Sequence, residues 1–536
     1  MKKYVYLLAC LLGCTACFDE NPKSQLTEDE AFSTNTDLYL NTVVTLYNYI
    51  GGTTDSEGLQ GTYRGVYDYN TFTTDEALVP TRGVDWYDGG FWQGLYLHEW
   101  TADDTALYNT WSYLYKVVVL CNQSIARLEQ HASLLTDCEK LVSQGEVRAI
   151  RALFYYYLLD MFGNIPLCVS QDVALPDVKQ SFRSEVFRFV VKELQEVLPY
   201  LPESMSQLTD YYYGRITRPV AWFLLMKLAL NAEIYADDNW TDGVQLEGKN
   251  IFFTVDGQQL NAWQTVQAYG RLLTAFGYRL ETDYTRNFAR DNESSMENIF
   301  VIPMDKMLYA TVFKNIFRSL HYNHGSALSR YQENGSCATV STVRAYGYAT
   351  PQEDSRFALN FFSDTVRVDG KLIYLDNGRP LVYSPLEAKL DLSGSPYEKT
   401  AGARMSKYAI DRTAYSDGQL QNNDIVLFRY ADVLLMMAEA KIRNGEDGSA
   451  ELNQVRARVG MGARPATLDN VLQERLLELM WEGWRRQDLI RFRRFTAAYD
   501  ERPQLPGESS GYTTVFPIPN KARELNKNLK QHTGYK

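Results

Sequence analysis

Apolar residues recur at three- and four-residue steps through most of the chain, which is the spacing of one face of an α-helix. The clearest stretch is 145–162, where Val147, Ile150 and Phe154 share a face and Gly163 ends the pattern. The same period predicts further helices at 36–50, 111–129, 184–201, 219–236, 262–276, 425–444, 450–459 and 468–495. Consecutive helices joined by short turns predict stacked helical hairpins of about tetratricopeptide-repeat length.

Two parts of the chain lack this period. Residues 51–100 are rich in glycine, aspartate and aromatic residues, which predicts a long functional loop. Between 361 and 383 the pattern alternates, with turns expected at Asp369-Gly370 and Asn377-Gly378, and Val255-Asp256-Gly257 indicates another small hairpin. The sequence therefore predicts a mainly α fold with a loop-rich region that contains small β-hairpins.

The first residues have the layout of a secretory signal. Lys2 and Lys3 precede an apolar run that is too short to span a bilayer and that ends in small residues. Bacterial lipoprotein signals end before a cysteine whose thiol carries the lipid anchor. We predict a signal peptide over 1–16 and lipidation at Cys17, with Cys14 as the alternative.

Composition narrows the class of partner. The formal net charge is −12, which argues against nucleic acid or an anionic membrane surface. Beyond the signal no stretch reaches about 18 apolar residues, so the membrane is expected to hold the protein through the lipid anchor only. The remaining cysteines show no metal or redox spacing and are expected to be buried thiols: Cys121, Cys138, Cys168 and Cys337.

A row of carboxylates near the end of the chain indicates an ion-pair network, a pair for general acid and base catalysis, or a metal site. Glu474, Glu478 and Glu482 are expected one turn apart on a single helical face. Like charges at that spacing repel, so cations must lie close by. Arginines and one aspartate in the same segment favour the structural network: Arg475, Arg485, Arg486, Asp488 and Arg491. Arg148 and Arg151, beside Glu146, are expected to tie helices together in the same way.

Aromatic residues make up 13% of the chain, and 38 of them are tyrosines. A tyrosine ring has a flat apolar face and a hydroxyl at its tip, which suits the C–H faces and hydroxyls of a sugar. Two glycine-containing segments concentrate such rings, and we expect them to bind ligand. The candidate contacts are Arg82, Asp85, Trp86, Tyr87 and Trp92 from segment 81–92, and Tyr309, Tyr322 and Tyr331 from segment 308–331. The alternative is that these side chains pack against the helices.

Catalytic and metal motifs give no positive signal. The sequence has no nucleophile elbow, phosphate-binding loop or dinucleotide fingerprint. His321 and His324 lie three residues apart, and we interpret them as loop residues and expect no metal site there. A secreted glycosidase stays open as an alternative, because its two carboxylates need no fixed spacing.

Several segments, in order, resemble the SusD/RagB family of nutrient-binding outer-membrane lipoproteins. The resemblance rests on Glu146–Ala152 with Phe162–Leu167, Asp424–Ala440, Leu452–Arg458, Glu474–Leu489, Phe516–Pro519 and Gly534–Tyr535. It implies four tetratricopeptide-like helix pairs carrying a loop-rich ligand-binding part, and no enzymatic activity. It also implies that the protein acts as a hinged lid on a SusC-like TonB-dependent transporter, facing outwards from the outer membrane.

The resemblance also bears on boundaries and ligand. We expect a lipidated tether over 17–35 and one domain over 36–536. Its scaffold is expected mainly in 36–50, 105–280 and 425–495, and its binding part mainly in 51–104 and 281–424.

Within the family, the starch-binding member points to Trp86 as a contact, whereas Ser336 stands where a second binding tryptophan is expected. An oligosaccharide is therefore the expected ligand without starch being implied, and a peptide is the alternative. No cofactor is expected, although some relatives bind calcium and Asp291, Glu293 and Asp424 are the candidates for it.

Overall fold

The computed structural model describes residues 31–535, and the predicted signal with Cys14 and Cys17 lies outside them. Of these residues, 46% are helical and 10% are in strands, so the predicted mainly α class is confirmed. The α-helices are α1 Asn35–Tyr39, α2 Thr45–Tyr47, α3 Val66–Thr71, α4 Phe91–Leu97, α5 Thr105–Gln130, α6 Asp137–Phe162, α7 Arg183–Val197, α8 Arg218–Leu230, α9 Ala232–Tyr235, α10 Ala262–Phe276, α11 Lys314–Ser319, α12 Tyr322–Ala327, α13 Val340–Ala345, α14 Phe357–Asn360, α15 Tyr430–Arg443, α16 Ser449–Arg458, α17 Leu468–Leu479, α18 Arg485–Arg491 and α19 Asn520–Leu525.

Strands are short and, among residues 31–535, form antiparallel pairs. They are β1 Ala77–Leu78, β2 Ile165–Pro166, β3 Gln180–Ser181, β4 Phe252–Val255, β5 Gln258–Asn261, β6 Asn298–Ile302, β7 Cys337–Ala338, β8 Phe361–Phe362, β9 Asp364–Thr365, β10 Arg367–Val368, β11 Lys371–Leu372, β12 Val382–Tyr383, β13 Arg404–Met405 and β14 Ile425–Arg429. The hairpins expected around Asp256-Gly257 and Asp369-Gly370 are confirmed as β4–β5 and β10–β11. A close turn also forms at Asn377-Gly378, where the Leu375 amide donates to the Arg379 carbonyl.

The long helices pack in succession. Helix α5 packs on α6 and α6 on α7, while α8 packs on α10, α10 on α15, and α15 on both α16 and α17. The first and last residues of helix α6 explain where this helix begins and ends. The Thr136 hydroxyl accepts from the Glu139 amide while the Glu139 carboxylate accepts from the Thr136 amide, which satisfies two free donors at its start. At its end, Gly163 takes a φ of 66°, which favours glycine.

Two predicted helices differ from the structure. Ile425–Arg429 is a buried strand, β14, paired with β6, because a short run of apolar residues fits a buried strand as well as a helix. The helix expected over 468–495 ends at Leu479, since Trp481 and Gly483 take left-handed conformations with φ of 69° and 76°, and helix resumes in α18. The loop expected over 51–100 also contains the short helices α3 and α4.

The predicted network of carboxylates and arginines forms the centre of the molecule. Glu478 is fully buried and pairs with Arg356 at 2.8 Å, with Arg429 at 2.6 Å and with Arg458. Burial alone would raise the pKa of Glu478, but the three guanidinium groups hold it well below its usual value. Glu482 joins from beyond the helix end, so the expectation of one helical face holding all three glutamates is wrong.

Helices α6 and α7 are tied together as expected from the basic residues of α6. Arg148 and Arg151 both pair with Glu193, at 2.6 and 2.5 Å, whereas Glu146 pairs with Arg215 at 2.8 Å. The expectation for the cysteines holds in part. All four thiols described are free, and Cys121 and Cys337 are buried, but Cys138 is exposed and Cys168 half-exposed because their positions lie at the rims of the helical packing.

Candidate ligand-binding site

Strand pairing brings distant loops to one place. β1 pairs with β7, which carries segment 79–92 beside segment 330–337. A third segment joins because the Thr81 amide donates to the Leu390 carbonyl at 3.0 Å and the Leu392 amide donates to the Thr81 carbonyl at 2.9 Å. The two loops that the sequence singled out therefore share one face with a segment near residue 399.

Arg82 connects these segments through hydrogen bonds from its guanidinium group. Its guanidinium is fully buried and donates to the carbonyl oxygens of Gly335 at 3.2 Å, Glu398 at 2.9 Å and Ala401 at 2.9 Å. Its donors are engaged by backbone from two other segments, so Arg82 supports the loop from beneath. This corrects the expectation that Arg82 contacts ligand.

Trp92 also belongs to the support. Its side chain is 1% exposed, its indole N–H donates to Asp88 at 2.8 Å, and the Arg318 guanidinium lies 5.3 Å from its ring. Phe72 meets the same ring edge-on at 5.9 Å. The alternative of core packing thus holds for Trp92, and the expectation of a ligand contact is corrected.

Trp86 sits half-buried on this support in a defined orientation. Its φ is 63°, and its indole N–H donates to the Glu333 carbonyl at 2.9 Å. Its ring meets those of Trp92 and Tyr63 edge-on, at 5.7 and 6.2 Å. A Cβ at position 335 would lie 2.6 Å from the Trp86 ring, so Gly335 is what lets the ring lie against the neighbouring loop.

A polar group of three side chains borders Trp86. Asp85 accepts from the Tyr322 hydroxyl at 2.8 Å and from the Lys399 ammonium at 2.8 Å. The bond from Lys399 is the main reason that the pKa of Asp85 is lowered. Burial, together with the bond to Asp85, raises the pKa of Tyr322, so the group carries an ionised carboxylate, an ammonium and a neutral phenol.

Two further tyrosine rings from the same loops are exposed to solvent. Tyr87 is 59% exposed, and Tyr331 is 55% exposed with its ring 5.6 Å from that of Phe317. We call Asp85, Trp86, Tyr87, Tyr322, Tyr331 and Lys399 the loop site. Tyr309 is also exposed but lies in a different cleft, beside Tyr211 and Tyr212.

Sequence reasoning missed Lys399, Tyr63 and Glu333. Each is brought in by pairing between segments far apart in the chain, and none lies in a motif that signals binding. Tyr63 donates to the Glu333 carboxylate at 2.6 Å, which fixes the loop whose carbonyl holds Trp86.

The histidines and the candidate calcium ligands have other roles. Burial lowers the pKa of His321 to about 3 and of His324 to about 4, so both are neutral packing residues. Asp291 pairs with Arg286, whereas Asp424 is buried, accepts from Tyr213 and the Met304 amide, and has its pKa raised by burial to about 7. Within residues 31–535 no group of three or more histidine, cysteine, aspartate or glutamate side chains has a metal-binding arrangement.

Two family models match the chain. The SusD family model matches residues 354–535, and a model for starch-binding proteins associating with the outer membrane matches residues 30–230. Across the described part of the chain, no helix has both the length and the apolar character of a membrane span.

Individual relatives align along most of the chain. The starch-binding protein SusD of Bacteroides thetaiotaomicron is 24% identical over 518 residues, which cover 90% of this chain and 87% of that protein. A SusD-like protein of Bacteroides ovatus is 24% identical and covers 84% of this chain and 78% of its own length.

Solved structures share the fold. Surface glycan-binding protein A from Bacteroides thetaiotaomicron, in complex with laminarihexaose, has a TM-score of 0.68 at 20% identity and covers 92% of this chain and 98% of its own. A SusD homolog from the same species has a TM-score of 0.71 at 19% identity, with 95% and 99% covered. The solved structures show the same fold. The two family models, one towards each end of the chain, and the relatives that align along most of it show that the chain belongs to the SusD family.

Proposed function

We propose that the protein captures an oligosaccharide at the loop site and delivers it to a SusC-like TonB-dependent transporter. The observation that carries this proposal is the combination of rings and hydrogen-bonding groups on one face. Trp86 is held in a fixed orientation while exposed Tyr87 and Tyr331 offer further ring faces. Lys399 and Tyr322, organised by Asp85, supply polar groups for sugar hydroxyls.

Relatives support the same class of ligand. One is named a starch-binding protein, one solved structure holds laminarihexaose, and another is named a laminarin-binding SusD-like protein. These names differ in the glucan concerned, so they favour a glycan ligand and leave its linkage open. A SusC-like partner follows from family membership.

We propose a binding role without catalysis. Asp85 of the loop site and nearby Glu333 and Glu398 carry carboxylates, and hydrolysis of a glycoside would need two such groups to act across the scissile bond. Asp85 is held ionised by Lys399, and Glu333 is bonded to Tyr63. Chromatography of the sugars after long incubation with the protein is expected to show them intact, and release of shorter products would overturn this part of the proposal.

The anchor is proposed at the outer membrane through Cys17. Radiolabelled palmitate is expected to enter wild type and Cys14→Ala but not Cys17→Ala. Label in Cys17→Ala with none in Cys14→Ala would move the anchor to the alternative cysteine. Label in neither wild type nor variants would contradict a lipidated protein.

The ligand class is tested by a panel. Purified protein is titrated calorimetrically with starch, laminarin and other polysaccharides, and in parallel with peptides. Saturable heat with at least one glycan supports the proposal. Binding to peptides with no glycan bound would replace it with the peptide-capturing alternative. Affinity purification from detergent-solubilised outer membranes is expected to bring down a TonB-dependent transporter.

A further inference from the structure

A second cleft rich in tyrosine lies away from the loop site. It has a volume of about 730 Å³, within the range of ligand-binding pockets, and none of the loop-site residues lines it. We call it the tyrosine cleft, and the side chains that matter here are Asn35, Tyr39, Asn48, Tyr211, Tyr212 and Tyr309. Among these residues, the sequence predicts a ligand contact for Tyr309 alone, as part of segment 308–331.

The rings of this cleft are exposed yet held in place. Tyr211 is 74% exposed and Tyr309 is 44% exposed. The Arg215 guanidinium lies 4.8 Å from the Tyr211 ring, 4.8 Å from the Tyr212 ring and 5.3 Å from the Tyr39 ring. Tyr211 and Tyr212 meet edge-on at 5.1 Å. The Arg215 guanidinium thus holds the rings of Tyr39, Tyr211 and Tyr212 in place by cation–π contacts.

Arg215 is itself fixed from below. Its guanidinium donates to both oxygens of the buried Glu146 carboxylate, at 3.0 and 2.8 Å. Tyr39 and Tyr47 donate to the same carboxylate, at 2.8 and 3.1 Å. The rings of Tyr39, Tyr211 and Tyr212 therefore need little further ordering when a ligand binds, which lowers the entropic cost of capture.

The charges of the cleft select its ligand. Arg215 is neutralised by Glu146, and the Glu139 carboxylate, which also lines the cleft, accepts from the Thr136 amide at the start of α6 and from the Asn35 side chain. Within the described residues, the lining therefore offers no free cation to an anionic ligand. Exposed Asn48 adds a neutral amide donor and acceptor at the rim, beside the tyrosine rings. Flat apolar rings bordered by neutral hydrogen-bonding groups match a neutral sugar, whose C–H faces and hydroxyls have the same arrangement.

We propose that the tyrosine cleft is a second glycan-binding site, which takes a neutral oligosaccharide by stacking on Tyr211 and Tyr309. It goes beyond the capture role of the loop site, because it gives the protein two separate contacts for one extended glycan or for two chains. Two linked contacts hold a long ligand more firmly than either does alone.

A native thiol reports on this cleft. Cys138 is exposed and lines the cleft, whereas half-exposed Cys168 lies outside its lining and serves as an internal control. Full-length protein is alkylated with iodoacetamide in the presence of maltoheptaose, laminarihexaose or a peptide mixture, and the two thiols are resolved by peptide mass spectrometry. We expect at least one oligosaccharide to slow alkylation of Cys138 and leave that of Cys168 unchanged.

Variants separate the two sites. Tyr211→Ala is expected to raise the half-protecting concentration by about tenfold, the loss of one stacked ring, while Tyr87→Ala raises it by less because it removes no ring of the cleft. Tyr200→Ala, another partly exposed tyrosine outside both sites, is the matched control and is expected to behave as wild type. Tyr309→Ala is the second variant if Tyr211→Ala fails to fold.

Three outcomes overturn the inference. They are no protection of Cys138 by any oligosaccharide, protection by peptides alone, and protection that persists in Tyr211→Ala and Tyr309→Ala. Calorimetric binding that is lost in Tyr87→Ala with Cys138 unprotected leaves the loop site standing and removes the tyrosine cleft. Protection of Cys138, together with calorimetric binding that is the same in wild type and Tyr87→Ala, supports the tyrosine cleft and counts against the loop site.

Discussion

Glu478 shows how single buried charges hold the molecule together. Its carboxylate has no exposed surface and is shared by Arg356, Arg429 and Arg458 from three different segments. Removing one partner of such a group leaves the others buried and unpaired, which costs more than the pair itself contributes. The network therefore makes the helical and loop-rich parts depend on each other.

Glu478→Gln is expected to lower the free energy of unfolding by about 3–5 kcal/mol, because three guanidinium groups lose one buried countercharge. Urea titration followed by circular dichroism measures it. Glu196→Gln is the matched control, since Glu196 is a partly exposed partner of Arg148 and its loss should cost about 1 kcal/mol or less. Equal effects of the two substitutions would contradict a structural role for the network.

Asp424 makes stability depend on pH in a defined direction. Burial raises its pKa from 3.8 to about 7 in the folded protein, so between those values the folded state keeps a proton that the unfolded state releases. This group's contribution to stability is thus complete below pH 3.8 and falls as the pH rises towards 7. Asp424→Asn keeps the shape and should flatten that fall, as measured by thermal unfolding from pH 4 to 8. An unchanged profile would show that Asp424 titrates normally.

Individual site residues were predictable only in part. The sequence placed Asp85, Trp86 and Tyr87 in a loop with the right turn residues, and the structure keeps them at the surface. Exposure of a ring inside such a loop depends on what packs beneath it, so Trp92 and Trp86, six residues apart, could not be told apart from sequence. Lys399 enters through contacts across more than 300 residues, and local patterns carry no signal for them.

Elements followed the hydrophobic period wherever packing did not override it. Helix α10 has the predicted bounds of 262–276, and α6 ends at the predicted glycine. The period failed at β14, where pairing with β6 makes an apolar segment extended, and at 480–484, where left-handed residues interrupt a continuous apolar face. Both failures arise from tertiary contacts that a local pattern does not contain.

Residues 480–484, which separate helices α17 and α18, allow a test of how a left-handed glycine contributes to stability. Gly483 has a φ of 76°, and an added Cβ would lie 3.1 Å from the Tyr67 ring. Gly460 has a φ of 73° and open space around it, so it isolates the cost of the backbone conformation. Gly460→Ala is expected to cost about 1–2 kcal/mol of stability, and Gly483→Ala clearly more because the ring must also move. Chemical denaturation of the two variants decides it, and equal losses would mean that the Tyr67 contact is relieved without cost.

At the scale of the whole molecule, a helical scaffold presents loops that are fastened to one another. β1 and β7 join two of them, and buried Arg82 holds a third through the carbonyl oxygens of Glu398 and Ala401. This arrangement holds the rings of the proposed loop site in position, with a second set of rings around Arg215 in a separate cleft. The family assignment fits this division into scaffold and binding loops.

Capture of glycan at the loop site can be tested by one calorimetric comparison. The oligosaccharide that binds best in the panel is titrated into wild type, Tyr87→Ala and Tyr200→Ala, with circular dichroism confirming that each is folded. Tyr87→Ala should weaken binding about tenfold because an exposed ring is lost, while Tyr200→Ala binds as wild type does. Wild-type affinity in Tyr87→Ala, and again in Tyr331→Ala, would show that the glycan does not bind at the loop site.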